Sequence, residues 1–246
     1  MTMQGKRVLI TGGGTGVGAD LARAFSEAGA EVVITGRRLQ PLEDVAGRLA
    51  NVTPIQGDVT DEDSVANMFT KAGRCDVVIA NAGAAESAPM HRVSLADWNA
   101  MLAVNLTGTF LTFREGLKQF DGWGRLIAVA STAGLKGYGY VAPYVAAKHG
   151  VVGLVKSLAL EVAKKPVTVN ALCPGYLDTE MTERTLANIM AKTGKSEAEA
   201  LAALTVTNPQ GRLIQPAEVS SAAMWLCQKG SEAINGQSIA IAGGEV

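Results

Sequence analysis

Short apolar runs alternate with segments of helical periodicity along most of this chain of 246 residues. The apolar runs are continuous, a pattern typical of parallel strands that are covered on both faces. Strands that alternate with helices predict right-handed βαβ units, and therefore an α/β, doubly wound parallel sheet of about seven strands with helices on both faces. The predicted strands cover 8–10, 31–35, 52–56, 76–80, 125–130, 168–172 and 238–241, and the predicted helices cover about 17–28, 41–50, 61–72, 95–119, 142–164 and 216–228.

One segment, at about 176–209, interrupts this alternation. It contains two helical stretches, 183–193 and 196–204, with no strand between them, and it follows Pro174-Gly175 at the end of a predicted strand. Open α/β sheets bind ligands at the carboxyl ends of their strands. We therefore expect a helical substrate lid here, within a single domain that spans 1–246. The alternative is a surface insertion that has no role in ligand binding.

The predicted helix 142–164 has unusually little polar surface. Small side chains at Ala146, Ala147, Gly150 and Gly153 alternate with larger apolar ones around much of its circumference. Such a helix needs burial on more than one side. One side can face the sheet, and we expect the other to face a second subunit.

Composition excludes several classes of function. The formal net charge is −1, from 22 basic and 23 acidic residues, which gives no general attraction for nucleic acid or for an anionic membrane. No apolar run reaches the roughly 20 residues of a membrane span, and because the first predicted strand starts so early we expect no signal peptide. Scattered Cys75, Cys173 and Cys227 and only two histidines indicate free thiols in a reducing cytoplasm and no metal site.

The glycine-rich run Thr11–Gly18 connects the first predicted strand to the first predicted helix. Its sequence is Thr11-Gly12-Gly13-Gly14-Thr15-Gly16-Val17-Gly18. A strand, a glycine-rich turn and a helix together present backbone N–H groups and the positive end of a helix dipole to an anion. Glycines also allow a pyrophosphate to approach the backbone closely. Glycine clusters form ordinary turns as well, so this run alone is a weak signal.

A second set of candidates could carry proton transfer. Tyr144 and Lys148 lie one turn apart on a helix, and a neighbouring ammonium is expected to lower the pKa of the phenol. Ser131 follows a predicted strand, where its hydroxyl could contact a substrate oxygen or cap a turn. Asn105 is a poor helix former inside a predicted helix, and it either holds a backbone group or water or faces solvent. Asp58 could accept a hydrogen bond from an adenine amino group or form a turn.

Taken together, these motifs closely resemble the single-domain short-chain dehydrogenases/reductases, in family order and over nearly the whole chain. The matching elements are Thr11-Gly12-x-x-x-Gly16-x-Gly18, Asp58, Asn81-Ala82-Gly83, Asn105, Ser131, Tyr144-x-x-x-Lys148, Pro174-Gly175 and Thr179. The resemblance implies a Rossmann-type fold, a homotetramer, and an enzyme that interconverts a ketone and a secondary alcohol.

The same resemblance implies a role for each member of a tetrad. Tyr144 would be the acid/base and Ser131 would orient the substrate oxygen. Lys148 would bind the nicotinamide ribose and tune Tyr144, and Asn105 would hold the water of a proton relay. Thr179 would touch the nicotinamide carboxamide or the pyrophosphate. The other expected cofactor contacts are Gly12, Thr15, Gly16, Val17, Gly18, Asp58, Val59, Asn81, Ala82, Gly83, Pro174 and Gly175.

The end of the second predicted strand indicates which nicotinamide cofactor binds. NAD-binding proteins commonly place an acidic residue there to hold the adenosine ribose. Here Gly36 occupies that position, and Arg37 and Arg38 follow it. Two guanidinium groups suit a 2′-phosphate in charge and geometry, so we expect NADP(H). The alternative is that both arginines are simply solvated charges.

The substrate is less well determined by the sequence. The segments 144–154, 173–176 and 211–218 are similar to those of β-ketoacyl reductases, 3-hydroxybutyrate dehydrogenases and polyketide ketoreductases. We expect a 3-oxoacyl thioester or related ketone, with a free ketone or keto acid as the alternative and a non-catalytic dinucleotide sensor as a remote one. Lys136 and His149 are the nearby cations that a keto acid could use. The expected pocket residues are Ala133, Tyr138, Tyr140, Tyr176, Leu177 and Met181.

Overall fold

Strands and helices alternate in the computed structural model, which describes residues 2–246. Within those residues seven strands form one sheet in the order β3-β2-β1-β4-β5-β6-β7, and each neighbouring pair is parallel. The predicted doubly wound α/β sheet is therefore confirmed. The strands are β1 (Arg7–Thr11), β2 (Glu31–Gly36), β3 (Val52–Gln56), β4 (Val77–Ala80), β5 (Gly124–Val129), β6 (Val167–Pro174) and β7 (Ser238–Ile241).

The helices occupy the segments in which the sequence shows helical periodicity. Two short 3₁₀ turns that the sequence pattern does not predict, Met90–Arg92 and Thr132–Gly134, are added in loops beside the sheet edge. The α-helices are α1 (Gly16–Glu27), α2 (Leu39–Ala46), α3 (Glu62–Ala72), α4 (Leu95–Leu102), α5 (Gly108–Gln119), α6 (Ala142–Glu161), α7 (Glu180–Thr193), α8 (Glu197–Thr205) and α9 (Pro216–Leu226).

The single helix predicted over 95–119 is interrupted. A π-helical turn, Ala103–Thr107, lies between α4 and α5, and Asn105 is buried within it. A π-turn inserts one extra residue into the helical repeat and re-aims the side chains beside it. The periodicity of apolar residues does not reveal this insertion, because the chain remains helical on both sides.

Alternate residues of the central strand β1 pack against opposite layers of helices, as the pleat of a strand requires. Leu9 belongs to the core under α3, α5 and α6, where Phe113 is fully buried. Val8 and Ile10 belong to the core under α1 and α9, where Phe25 is fully buried. The sheet is therefore covered on both faces, and its open part is the edge at which the strands end.

Helix α6 packs on more than the sheet. Val151 and Val155 are buried in the core, and a Cβ on Gly150 would lie 2.8 Å from Cδ2 of Leu106 in the π-turn. Part of the second apolar side of α6 is thus covered within the chain itself, whereas Leu160 is 80% exposed. Association with a second subunit stays a prediction. None of the helices in the described part of the chain is long and apolar enough to cross a membrane.

Candidate active site

A cavity of about 950 Å³ opens at the carboxyl edge of the sheet. The glycine-rich loop, the residues that follow β2, β3, β4, β5 and β6, the start of α6 and the first turns of α7 line it. This is the position at which open α/β sheets bind their ligands, and the volume lies at the upper end of the range typical of cofactor sites.

The glycine-rich loop has the geometry of a cradle for an anion. Gly12 has φ = +67°, and a Cβ there would lie 2.9 Å from the Cα of Ala82. A Cβ on Gly18 would lie 2.1 Å from the carbonyl oxygen of Gly12, so only glycine lets α1 pack this closely on the loop. Helix α1 has no side-chain N-cap and no acidic residue in its first turn. These features fit the pyrophosphate of a dinucleotide.

Two polar residues fasten this loop to the neighbouring strand. The Thr11 hydroxyl accepts hydrogen bonds from the N–H groups of Asn81 and Ala82, at 3.0 and 3.1 Å. The Asn81 amide donates to the carbonyl oxygens of Thr11 and Gly12, at 2.9 and 3.1 Å. The floor of the cavity between β1 and β4 is therefore held by side chains that reach across from one strand end to the other.

Tyr144 and Ser131 form the polar centre of the cavity. Ser131 follows β5, and its hydroxyl hydrogen-bonds to the phenol of Tyr144, at the start of α6. Burial raises the pKa of Tyr144 to about 12, and the bond from Ser131 opposes that shift only in part. The phenol therefore keeps its proton at neutral pH. This differs from the expectation that Lys148 lowers the pKa of Tyr144.

The position of the Lys148 ammonium explains the difference. Its Nζ donates to the carbonyl oxygen of Val129 at 2.9 Å and lies 5.6 Å from the centre of the Tyr144 ring. The side chain is buried, and burial lowers the pKa of Lys148 to about 8, with Cys173 opposing this shift. The amine reaches the cavity beneath the phenol, and it is bound to the backbone of β5 and not to the phenol oxygen.

Asn105 fixes the loop opposite Tyr144. Its Nδ2 donates to the carbonyl oxygens of Ala84 and Met101, at 2.9 and 3.0 Å, and its Oδ1 accepts from the Ala84 N–H at 3.3 Å. A Cβ on Gly83 would lie 2.8 Å from that Oδ1. The alternative that Asn105 faces solvent is wrong, because the π-turn carries its side chain inward.

The far end of the cavity carries the two arginines. Arg37 and Arg38 are exposed and line the cavity beyond β2. A Cβ on Gly36 would meet only Leu42, at 3.6 Å or more, so the space that an acidic side chain would fill is open. Asp58 also lines this end, and its Oδ1 accepts from the N–H and the hydroxyl of Thr60, at 2.9 and 2.8 Å.

The structure brings nearly all of the predicted site residues to this one cavity. Gly18 packs behind the loop and does not line it. Tyr140 is the second exception: it has φ = +69° and is 71% exposed, and its carbonyl oxygen accepts from the Ala88 N–H. Tyr140 therefore lies at the surface, outside the lining of the cavity. The predicted residues that do line the cavity are Gly12, Thr15, Gly16, Val17, Gly36, Arg37, Arg38, Asp58, Val59, Asn81, Ala82, Gly83, Asn105, Ser131, Ala133, Tyr138, Tyr144, Lys148, Pro174, Gly175, Tyr176, Leu177, Thr179 and Met181.

Several lining residues were not predicted. Thr185 and Asn188 lie on α7 at helical spacing from Met181, so the periodicity of that helix could have revealed them. Glu86 lies on the loop after β4 and carries no such signal. The remaining unpredicted lining residues are Pro41, Leu42, Gly57, Ala84, Ala85, Ser87, Val104, Val129, Ala130, Glu180 and Thr182.

Comparisons with known proteins agree with this geometry. The family model for short chain dehydrogenases matches residues 6–189. The chain is 31% identical to D-beta-hydroxybutyrate dehydrogenase of Rhizobium meliloti (strain 1021), over 97% of this chain and 98% of that protein. It is 32% identical to a 3-oxoacyl-(acyl-carrier-protein) reductase of Aquifex aeolicus (strain VF5), over 98% of each. The crystal structure of actinorhodin polyketide ketoreductase with NADPH is similar, with a TM-score of 0.93 and 32% identity over 100% of this chain and 99% of that one.

The fold and the cavity define a dinucleotide-binding oxidoreductase of the α/β class. The chain belongs to the short-chain dehydrogenase/reductase family, and the resemblance stated from its motifs is confirmed.

Proposed function

We propose that this chain is an NADP(H)-dependent reductase that converts a ketone to a secondary alcohol, with a 3-oxoacyl thioester or a related keto compound as the substrate. The cofactor is NADP(H), in agreement with Arg37 and Arg38 at the adenosine end of the cavity and with the NADPH of the similar ketoreductase. The observation that carries the proposal is the pairing of the Tyr144 phenol with the Ser131 hydroxyl inside the cavity, with Lys148 buried nearby and bonded to Val129.

The glycine-rich loop with Arg37 and Arg38 would hold the nicotinamide cofactor, which would supply a hydride for the carbonyl carbon. Ser131 and Tyr144 hydrogen-bond the carbonyl oxygen and orient it, and Tyr144 gives its phenol proton to that oxygen as negative charge develops there. Lys148, buried near the phenol, would hold the ribose and compensate the negative charge left on Tyr144 after proton transfer. Asn105 holds the loop at Ala84 through two hydrogen bonds and is itself held by a third to the Met101 carbonyl oxygen.

The protonated form of Tyr144 is the form that reduction of a ketone requires. A general acid must carry its proton at working pH, and the raised pKa of Tyr144 keeps that proton in place. Oxidation of an alcohol would need the phenolate, which burial of Tyr144 disfavours.

The lining of the cavity supports a substrate with an apolar body. The rings of Tyr138 and Tyr176 meet edge to face at 6.3 Å, and with Met181 they form one wall of the cavity. Helix α7, from Glu180 to Thr193, lies over the same side and would serve as the lid within a single domain.

A free ketone is the second candidate, because the rim is acidic. Glu86 and Glu180 line the mouth of the cavity, and a surface of this sign is a poor platform for an acidic carrier protein or for the phosphates of coenzyme A. A homotetramer in the cytoplasm remains the expectation from the family resemblance.

The test is NADPH consumption by the purified protein against a panel of 3-oxoacyl thioesters, keto acids and cyclic or aromatic ketones. We expect turnover of at least one ketone class, and loss of most turnover in Tyr144→Phe with NADPH binding retained. Undiminished turnover in that variant would exclude Tyr144 as the proton donor. Absence of turnover across the panel, with NADPH bound, would favour the sensor alternative.

A further inference from the structure

Glu245, the second-to-last residue, has a buried carboxylate that contacts Tyr138. Tyr138 and Tyr176 line the part of the cavity that we call its substrate half. The side chain of Glu245 is only 1% exposed. A Cβ on Gly175, which lines the cavity, would lie 3.1 Å from Glu245 Oε2. A charge is costly to bury, so the groups that compensate it indicate what it does.

Three side chains compensate this carboxylate. Lys136 Nζ lies 3.1 Å from Glu245 Oε1, the phenol of Tyr138 donates to the same oxygen at 2.5 Å, and Thr207 adds a further hydrogen bond. Lys136 and Tyr138 belong to the loop between β5 and α6, more than a hundred positions before Glu245. The Glu245 carboxylate therefore connects the loop between β5 and α6 to the end of the chain.

The first consequence concerns hydrogen bonding in the pocket. The proton of the Tyr138 phenol is directed to Glu245, so the Thr132 hydroxyl, 2.6 Å away, is the donor to the phenol oxygen. The donor capacity of Tyr138 is used within the protein. Tyr138 thus presents its ring to the substrate and offers it no hydrogen-bond donor.

The second consequence concerns charge. Within the described part of the chain, the cations that line the cavity are Arg37 and Arg38 at the adenosine end, and Lys148, which is bound to Val129. Lys136 is the further cation close to the substrate half, and Glu245 neutralises it. His149 is exposed, with its Nδ1 bonded to the Val145 carbonyl oxygen. A substrate carboxylate would lose its hydration there and gain no cationic partner.

We propose that Glu245 is a specificity-determining residue: by neutralising Lys136 and holding Tyr138, it makes the site select uncharged carbonyl compounds over carbonyl compounds that carry a carboxylate. This inference rests on the proposed ketone reductase function.

The test compares a matched pair of probes, ethyl 3-oxobutanoate and 3-oxobutanoate, by kcat/KM at saturating NADPH. Glu245→Gln removes the carboxylate charge and leaves Lys136 free, so we expect the ester-to-acid ratio to fall about tenfold, as for one elementary charge at a partly solvated pocket edge. Lys136→Met leaves Glu245 uncompensated, so the ratio should rise. In the double variant the ratio should return toward that of the unmodified protein.

Opposite shifts in the two single variants would support the inference, because a general loosening of the loop would move both probes in the same direction. The inference would be overturned if each variant changed kcat/KM equally for the ester and for the acid, so that their ratio stayed the same. If Glu245→Gln fails to bind NADPH, the ester-to-acid ratio of Lys136→Met alone tests the inference: a higher ratio supports it, and an unchanged ratio overturns it. If the unmodified protein reduces neither these probes nor any ketone of the panel, the proposed function itself fails, a result distinguishable from an unchanged ratio.

Discussion

Replacement of Lys148 by methionine should abolish turnover and stabilise the fold near neutral pH. Burial lowers the pKa of Lys148 from 10.5 to about 8, and each pKa unit corresponds to about 1.36 kcal/mol. The buried ammonium therefore costs roughly 3 kcal/mol at pH 7. The variant also loses the hydrogen bond to the Val129 carbonyl oxygen, worth about 1–2 kcal/mol. The net gain in the free energy of unfolding is about 1–2 kcal/mol.

The dependence on pH makes this expectation specific. Below pH 8 the lysine is protonated in both the folded and the unfolded state, and the cost is present in full. Between about 8 and 10.5 the folded state releases the proton while the unfolded state still holds it, so the stability of the unmodified protein rises relative to the variant. Above 10.5 the cost is gone, and the variant should be the less stable of the two.

Urea unfolding at equilibrium, followed at pH 7, 8, 9 and 10.5 and at one protein concentration, measures this difference. Lys156→Met is the matched control, since Lys156 lies on the same helix and is exposed, and its effect should be small and independent of pH. A stability difference for Lys148→Met that stays constant from pH 7 to 10.5 would refute the reasoning, because it would mean that burial does not shift the titration of this amine.

The remaining predictions concern the cofactor. Replacing Arg37 and Arg38 together by alanine should raise KM for NADPH at least tenfold and leave KM for NADH nearly unchanged, as initial rates with each cofactor would reveal; equal changes would exclude a contact with the 2′-phosphate. Gly18→Ala should weaken NADPH binding and lower stability by about 1–3 kcal/mol, because its Cβ would lie 2.1 Å from the Gly12 carbonyl oxygen. Gly122→Ala, where no atom lies within 4 Å of the new Cβ, is the control for calorimetry and fluorescence titration, and equal losses in the two variants would contradict the steric argument.

The sheet could be predicted closely from the sequence because its strands are continuous apolar runs. Such runs are readable when both faces are buried, and β4 and β5 begin within one residue of their predicted starts. Strand β3 is the least apolar, with Thr53 exposed and Pro54 within it, which fits its place at the edge of the sheet. The end of α2 at Ala46, before the predicted 50, follows from Gly47 at its C-cap.

The site could be predicted as far as local spacing carries information. Residues that follow strands converge on one edge, so Ser131 and Asn81 could be placed at the cavity from their positions alone. The pKa of Tyr144 could not be predicted in this way, because helical spacing places Lys148 one turn away without revealing that its amine bonds to Val129. The contact between Glu245 and Lys136 depends on the tertiary fold and has no local pattern.

The account depends most on Tyr144 as the group that hands a proton to the substrate oxygen. A crystal structure of the protein with NADP⁺ and a ketone that it turns over measures this directly. We predict that the phenol oxygen and the Ser131 hydroxyl both lie about 2.6–3.2 Å from the carbonyl oxygen, with the nicotinamide on the opposite side of the carbonyl carbon from the apolar wall. A carbonyl oxygen held by other groups, with Tyr144 beyond hydrogen-bond reach, would contradict the account.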